Sequence, residues 1–559
     1  MTEQVSAGEA ILRSLKSNGV DYLFINPGSD FAPVIETYAK AGGEEIPEAV
    51  TAAHENVVVT MAHGYYLATG KMAAAAVHVN VGLANAAMGL LNAHADDVPI
   101  FMISGRNPLT EGQRMGSRHT PIQYGQEMFD QTSIVREAVK WDYELRYAEN
   151  AADLVSRGSS VARMEPQGAV YLSLPREPLC ELTDMPGTPT QVAPAAPYPN
   201  PDAIADLAAK LAAAKNPLII CSRGDAHGEV SAEIMAIAEE NSIAVSEVFV
   251  TRNVLPTDWK NGVGGNIAAH IPDADVVLVV DAGVAWIESK ASPAPDADVI
   301  HMGPDPLFTR IPVRGYKTTA AIPCNTVAGL KALRAALPGT PNAARQEEIE
   351  ARHTSFRSRM TSKVEQGSQG LANKPWIAKC ISDVLGDGTV FAERGGPLPL
   401  YNVKSANQWF GNTQAGGLGW GLPAALGYQL ANRDKLTVCV VGDGSYMFAN
   451  PIACHQVAAA QQLPLLTIVL NNGSWDAVRI STLDIYPDGE ASKANHVPMV
   501  PFMPTPSYGD IAGASGCYAE TITEAQELPA ALERALKVIR EEKRQVLLDV
   551  QVGMDDGEK

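Results

Sequence analysis

Short, nearly continuous apolar runs alternate with alanine-rich, helix-compatible stretches along most of this chain. Examples are residues 275–281, 436–441 and 463–470. Such runs are typical of strands buried on both faces of a parallel sheet, and we predict a helix over 453–462, between the last two. The alternation indicates an α/β fold with three doubly wound parallel-sheet domains, the middle one Rossmann-like.

Two segments rich in proline and glycine divide the chain. Residues 186–201 form a semi-rigid linker that cannot sit inside a sheet, and a second break follows 337–341. The charged stretch 344–366 after this break is compatible with a helix. The expected domains are residues 1–185, 200–340 and 370–559.

Composition narrows the class of partner. A length of 559 residues with 46% hydrophobic and 19% charged residues suits a soluble α/β protein rather than a disordered one. The net charge of −20 argues against nucleic acid or an anionic membrane as a partner. We find no signal-peptide h-region and no run of about 20 apolar residues, and the cysteines are scattered, so we expect a cytoplasmic protein with reduced thiols.

Polar residues follow two of the predicted strands. Gly442-Asp443-Gly444-Ser445 comes after 436–441, and Asn471-Asn472-Gly473 comes after 463–470. A right-handed crossover places the carboxyl ends of such strands side by side. Asp443 and Asn472, with the backbone carbonyl of Ser474, could then bind one Mg²⁺, which would complete its shell with phosphate oxygens.

This pattern resembles the diphosphate-anchoring motif of thiamine diphosphate (ThDP) enzymes, in particular the acetolactate synthase, pyruvate oxidase and benzoylformate decarboxylase group. The spacing from Asp443 to Asn472 is slightly longer than usual, as if Asn450-Pro451 lay in a small insertion. The resemblance implies that ThDP and Mg²⁺ are cofactors. It also implies diphosphate contacts from the motif glycines Gly442 and Gly444 and from Ser445.

A second, independent part of the resemblance lies near the amino terminus. A strand running into Asn26-Pro27-Gly28 is followed by a His-Glu segment at 54–55. In the group, the glutamate of this segment hydrogen-bonds the aminopyrimidine ring of ThDP, which implies that role for Glu55. A carboxyl group that shares a proton with the ring nitrogen lets the cofactor's own amino group act as a base, and this works best in a dry pocket.

The segment 415–427 also resembles the group. The resemblance implies that the Gly416 carbonyl receives the pyrimidine amino group and that Leu418 wedges the cofactor into its bent shape. Gly395 and Gly396 are weaker candidates for diphosphate contacts. The middle domain of relatives can hold FAD, ADP or nothing; since no Gly-x-Gly-x-x-Gly follows the strand at 217–220, FAD is the less favoured option.

Three further residues are candidates for substrate contacts. Ser29 and His78 lie where benzoylformate decarboxylase has a serine and an active-site histidine, but its second histidine has no counterpart in 284–288. Gln126 lies in a segment similar to one in acetolactate synthase and pyruvate oxidase. The ordinary alternative is that His78 and Gln126 are satisfied polar residues. Trp475 and Val478 are expected on the acceptor side.

The resemblance implies cleavage or formation of a C–C bond next to a carbonyl. The leading hypotheses are decarboxylation of a 2-oxo acid with aldehyde release and acetolactate-synthase-type carboligation. A lyase acting on a 2-hydroxyacyl-CoA and a catalytically silent subunit are alternatives; a nicotinamide-dependent dehydrogenase lacks its fingerprint. The resemblance also implies a homodimer or homotetramer with sites between subunits.

Overall fold

The computed structural model describes residues 3–365, 367–494 and 496–554. The described chain contains three separate all-parallel sheets, each with helices on its faces, and a small antiparallel pair. This confirms the predicted α/β class with three parallel-sheet domains. None of the described helices combines the length and the apolar character needed to cross a bilayer.

The amino-terminal sheet has six parallel strands in the order β3-β2-β4-β5-β7-β6, while β1 pairs with β8. Its strands are β1 Gln4–Ser6, β2 Tyr22–Asn26, β3 Glu48–Thr51, β4 Ala73–Val77, β5 Ile100–Arg106, β6 Trp141–Glu144, β7 Val170–Pro175 and β8 Leu182–Asp184. Its helices are α1 Ala7–Ser17, α2 Ala32–Lys40, α3 Glu55–Thr69, α4 Val79–Ala95, α5 Ile122–Gly125, α6 Ala151–Arg163 and α7 Arg176–Cys180.

The middle sheet has five parallel strands in the order β10-β9-β11-β12-β13. Its strands are β9 Pro217–Cys221, β10 Ala244–Glu247, β11 Val276–Val280, β12 Asp298–Gly303 and β13 Ala320–Pro323, and its helices are α8 Pro201–Ala213, α9 Glu229–Asn241 and α10 Thr326–Ala336. Residues 186–200, before α8, contain no helix or strand. The connecting helix α11 spans Ala343–Glu365, which confirms the helix predicted over 344–366 except at residue 366, outside the described residues.

The carboxyl-terminal sheet has six parallel strands in the order β15-β14-β16-β17-β19-β18. Its strands are β14 Thr389–Glu393, β15 Trp409–Gly411, β16 Thr437–Gly442, β17 Leu466–Asn471, β18 Tyr518–Ile522 and β19 Val546–Gln551. Its helices are α12 Lys374–Leu385, α13 Gly421–Ala431, α14 Asp443–Phe448, α15 Pro451–Ala460, α16 Asp476–Ile485, α17 Glu490–Lys493, α18 Tyr508–Gly513 and α19 Leu528–Lys537.

Helices α3 and α13 join the first and last domains into one hydrophobic core. Two glycines permit this close crossing: a Cβ at Gly64 would lie 1.9 Å from the Ala424 carbonyl oxygen, and one at Gly427 would lie 2.0 Å from the Met61 carbonyl oxygen. The candidate site has two halves, one around Glu55 and one around Asp443 and the segment 415–421; we call them half-sites. Because Glu55 begins α3 and the segment 415–421 leads into α13, this packing fixes the position of Glu55 relative to that segment within each chain.

Candidate cofactor and substrate site

The diphosphate motif lies where the order of the carboxyl-terminal sheet reverses, between β14 and β16. Ligands of open α/β sheets bind in the crevice outside such a reversal. Asp443 directly follows β16 and is the first residue of α14, and its carboxylate accepts hydrogen bonds from the amides of Gly444 and Gly473, both at 2.8 Å. The Asp443 carboxylate therefore connects the carboxyl ends of the neighbouring strands β16 and β17.

The helix predicted over 453–462 is confirmed as α15, which spans Pro451 to Ala460. A further helix, α14, begins at Asp443 and was not predicted. Asn450 separates the two helices with a left-handed backbone, φ +56°. Asn450-Pro451 thus forms the corner between α14 and α15, and the small insertion there stays a prediction.

The side chains around Asp443 suit a hard divalent cation. Asn472 Oδ1 accepts a hydrogen bond from the Ser474 amide at 3.0 Å. The buried Ser474 hydroxyl has no hydrogen-bond partner among the described residues. Burial raises the pKa of Asp443, a cost that a bound cation would offset. The described residues hold no group of three or more His, Cys, Asp or Glu suited to a metal ion, so a cation here would need amide, carbonyl and phosphate oxygens as well.

The two motif glycines differ in the room they leave for a side chain. A Cβ at Gly444 would lie 2.2 Å from the Trp475 ring, whereas one at Gly442 would make only an ordinary contact, 3.7 Å from the Arg394 Cβ. Ser445 is buried in the first turn of α14. Gly395 packs against Val440 of β16, where a Cβ would lie 2.7 Å from the Val440 Cβ. Diphosphate contacts by these residues, and by Gly396 beside them, stay predictions.

The loop that carries Gly416 and Leu418 is held by two buried polar side chains that the sequence did not single out. The Glu393 carboxylate, at the end of β14, accepts hydrogen bonds from the amides of Gly419 at 2.7 Å and Gly421 at 2.6 Å. Asn92 of α4 donates to the Gly417 carbonyl oxygen at 3.0 Å. Burial raises the pKa of Glu393 to about 7. The only advance signal was an acidic residue at the end of an apolar run.

Gly416 itself lies at the exposed tip of this loop with φ +67°, and Leu418 beside it is half-buried. Gly419 has φ +84°, and a Cβ there would lie 2.3 Å from the Phe448 carbonyl oxygen. The loop is thus a tightly constrained turn that presents Gly416 and Leu418 at its outer side. Their contacts with a pyrimidine ring stay predictions.

We expect Glu393→Gln to bind ThDP about tenfold more weakly than the parent. Glutamine can accept one of the two glycine N–H groups but presents an N–H₂ to the other, and a buried unsatisfied donor costs about 1–3 kcal/mol. ThDP titration followed by tryptophan fluorescence measures this. Glu533→Gln, at an exposed position of the same domain, is the matched control and should bind like the parent. Equal affinity of Glu393→Gln and the parent would contradict the role.

The second half-site lies where the amino-terminal sheet reverses, between β2 and β4. Glu55 is the first residue of α3 and is half-buried; Asn85 of α4 donates to its Oε2 at 3.1 Å. A Cβ at Gly82 would lie 3.1 Å from the Val77 Cβ and 3.3 Å from Glu55 Oε1, so this glycine permits close packing beside the carboxylate. The contact of Glu55 with a pyrimidine ring stays a prediction.

His78 lies within electrostatic range of this glutamate, and the structure shows contacts of His78 that the sequence did not predict. It caps the amino-terminal end of α4, and its Nδ1 lies 2.6 Å from Oδ1 of the buried Asp30. Its Nε2 lies 3.4 Å from Gln126 Nε2. Ser29 is exposed beside Asp30. The structure therefore brings Ser29, His78, Gln126 and Glu55 to one end of α4.

The regions around the two half-sites are in contact within one chain. Asn92 of α4 donates to the Gly417 carbonyl oxygen, and His54 Nδ1 lies 3.4 Å from Asn450 Nδ2. Two other histidines of the amino-terminal domain contact residues outside the candidate site: His63 is fully buried against Trp420, and His119 contacts Arg176.

Comparison with known families identifies the domains that carry the two half-sites. The N-terminal TPP-binding domain of thiamine pyrophosphate enzymes matches residues 5–134, and the C-terminal TPP-binding domain of the same enzymes matches residues 396–550. Thiamine pyrophosphate is another name for ThDP. The chain belongs to the thiamine pyrophosphate enzyme family. It is therefore an enzyme chain with ThDP-binding domains at both ends.

Several known proteins are similar to this chain over nearly the full length. Acetolactate synthase large subunit of Haemophilus influenzae is 24% identical, with 100% of this chain and 96% of the relative aligned. A probable 2-ketoarginine decarboxylase and a benzoylformate decarboxylase of Pseudomonas aeruginosa are each 26% identical, covering 95% and 94% of this chain and 91% and 96% of theirs. The ThDP-dependent 4-hydroxybenzoylformate decarboxylase of Rhodococcus jostii has the same fold, with a TM-score of 0.78 at 20% identity over 99% of this chain and 100% of that one.

The middle domain of this thiamine pyrophosphate enzyme carries a charged bridge at its own sheet reversal, between β9 and β11. Arg223, after β9, pairs with Asp281, after β11, at 3.0 Å and with Asp97 of the first domain. A dinucleotide diphosphate would bind at such a reversal, where two carboxylates already share the arginine and would repel it. FAD therefore stays the less favoured prediction.

Proposed function

We propose that this enzyme decarboxylates a 2-oxo acid and releases an aldehyde, using ThDP and Mg²⁺. The observation that carries the proposal is the position of His78. This histidine is hydrogen-bonded to the buried carboxylate of Asp30 and lies within electrostatic range of Glu55. Such a histidine is a suitable proton donor to the carbon that loses CO₂. The decarboxylases among the relatives support the same chemistry.

Each half-site has a distinct part in this proposal. Asp443 and Asn472, with the Ser474 carbonyl, would hold Mg²⁺ and through it the diphosphate; Glu55 would bind the pyrimidine ring and Leu418 would support its orientation. ThDP, when bound, supplies the electron sink for C–C cleavage. The chain's own residues orient the substrate, exclude water and move protons: Ser29 and Gln126 would contact the substrate, and His78 would donate the proton.

Acetolactate-synthase-type carboligation is the second candidate. It is favoured by Gln126, whose Nε2 lies 3.4 Å from His78 Nε2. Gln126 also lies in a segment similar to one in those synthases. Trp475 and Val478 would border the acceptor: Trp475 lies between the rings of Phe448 and Phe502, at 5.9 and 4.9 Å, and Val478 is exposed on α16.

We further propose that the site is completed between chains, in a homodimer or homotetramer. The domain over 1–185 of one chain would face the domain over 370–559 of another, with 200–340 as the middle domain. One observation supports this: α4 exposes an apolar stripe of Val81, Met88 and Leu91, and the same helix carries Asn85, which contacts Glu55. Exposed stripes of this kind mark protein–protein contacts.

A panel of 2-oxo acids tests the proposed function. Purified protein with ThDP and Mg²⁺ is given pyruvate, aryl, branched and guanidino 2-oxo acids; CO₂ release is followed and the organic product is identified by NMR. We expect an aldehyde from at least one of them. Acetolactate from pyruvate would select the carboligase. No CO₂ from any member, with ThDP shown to be bound, would refute both candidates.

A further inference from the structure

A buried aspartate and His78 meet at the reversal of the amino-terminal sheet. Asp30 belongs to the short 3₁₀ helix Ser29–Phe31 that follows β2, and His78 directly follows β4. Asp30 Oδ1 lies 2.6 Å from His78 Nδ1, and the Val79 amide donates to Asp30 Oδ2 at 3.2 Å. The carboxylate therefore holds both the ring of His78 and the first amide of α4.

Two glycines make space for this pair. A Cβ at Gly28 would lie 2.0 Å from His78 Nδ1, and a Cβ at Gly105 would lie 1.5 Å from Asp30 Oδ2. Val79 has the positive φ of +26°, a conformation that β-branched residues rarely adopt. The backbone on both sides of the pair is thus shaped around one close contact between the carboxylate and the ring.

The contact decides which ring nitrogen faces the site. Because an aspartate oxygen accepts from Nδ1–H, Nε2 faces the side occupied by Gln126, whose side-chain amide can present its oxygen to Nε2–H after a 180° rotation. The hydrogen bond to Asp30 raises the pKa of His78, and the negative charge of Glu55 on α3 also raises it. Burial lowers this pKa, but by less. Gln126, the nearest side chain after α5, is uncharged. Among the described residues, Asp30 and Glu55 are the acids acting on this ring.

We propose that Asp30 is a positioning residue that keeps His78 protonated on both nitrogens, with Nε2–H directed at the reacting carbon. The inference rests on the proposed decarboxylation and deepens it. When the bond from the substrate's carbonyl carbon to the carboxylate breaks, CO₂ leaves and the electron pair stays with the carbon. The Nε2 proton then forms the new C–H bond of the aldehyde, and His78 regains a proton from water. Protonation by His78 favours aldehyde release over carboligation.

The first test does not depend on activity. In ThDP-free protein labelled with ¹³C and ¹⁵N in its histidines, NMR follows the titration of His78, one of eleven histidines, and His78→Gln assigns its signals. We expect the His78 midpoint to lie above 6.5 in the parent and to fall in Asp30→Asn. The ¹⁵N shifts at alkaline pH should show Nδ1–H in the parent. Glu36→Gln, which removes an exposed acid from the same domain, should leave the midpoint unchanged.

The second test is the pH profile of turnover of the best 2-oxo acid. A group whose folded pKa is raised is cationic below that pKa and loses its proton as the pH rises through it. The alkaline limb of kcat should therefore move to lower pH in Asp30→Asn, with kcat at neutral pH reduced about tenfold or more and KM little changed. Glu36→Gln should follow the parent.

Three results would overturn the proposal: a parent midpoint at or below 6.5, an unchanged midpoint in Asp30→Asn, or a lowered midpoint without any movement of the kcat profile. Asp30→Asn is isosteric and keeps an oxygen for the Val79 amide; if it nevertheless fails to fold, the parent titration decides. Absence of turnover in the parent with ThDP bound would refute the proposed function, while the NMR titration would still decide whether Asp30 controls His78.

Discussion

Asp443→Asn will bind ThDP about 100-fold more weakly than the parent, or worse, when Mg²⁺ is present. The substitution removes the only charged group proposed to bind the cation, and losing one partner of a buried charge interaction costs about 2–5 kcal/mol. The hydrogen bonds that the carboxylate accepts from Gly444 and Gly473 also weaken, which loosens both strand ends. Isothermal titration calorimetry with ThDP in the presence of Mg²⁺ measures the loss.

The same experiment identifies the cause. EDTA should weaken ThDP binding to the parent to a similar extent and should have little further effect on Asp443→Asn, because both changes remove one interaction. Asp434→Asn is the matched control: it removes an exposed acid just before the amino end of β16, the same strand whose carboxyl end carries Asp443. Additive losses from EDTA and Asp443→Asn would show that the cation binds elsewhere.

Glu55→Gln should lower kcat by about 10²–10⁴-fold while ThDP affinity changes by less than about tenfold. A glutamine can still contact a ring nitrogen, but it cannot share a proton with it, so the activation of the cofactor is lost and its binding largely remains. The rate at which the reactive carbon of bound ThDP exchanges its proton into D₂O gives the same information without any substrate. Both rates should fall together.

Glu48→Gln, an exposed position on β3 of the same domain, is the control for charge and should leave kcat and the exchange rate unchanged. An exchange rate in Glu55→Gln equal to that of the parent would exclude the proposed role. If only ThDP affinity fell, the carboxylate would have a binding role alone. The contact from Asn85 would then be the feature that orients it.

Much of the fold could be predicted from local patterns. The continuous apolar runs at 217–220, 275–281 and 436–441 match β9, β11 and β16, because a strand buried on both faces has to be apolar throughout. The start of α14 could not be predicted in this way. Asp443-Gly444-Ser445 has low helix propensity and is typical of a turn, yet the strand end and the Gly473 amide hold Asp443 at the first position of a helix.

The site residues that the sequence did not predict, Glu393 and Asn92, share one physical property: each acts through a contact between segments that are distant in the chain. Glu393 acts on the amides of Gly419 and Gly421, and Asn92 acts on Gly417 from another domain. A single buried acid or amide within an apolar stretch does not reveal its partner in the sequence. The packing of α3 against α13 and the order of the strands decide which partner it meets.

By itself the sequence determined the α/β class and the resemblance to ThDP enzymes, and it predicted Glu55, Asp443 and Asn472 as key residues of the site. These features depend on residue types at short range: apolar runs, and glycines and oxygen ligands at strand ends. Only the tertiary structure decided that Asp30 holds His78 and that Glu393 holds the loop carrying Leu418. The physical reason is the reversal of strand order in each sheet. It brings the ends of β2 and β4 together at one crevice and the ends of β14 and β16 together at another, although the strands of each pair are separate in the chain.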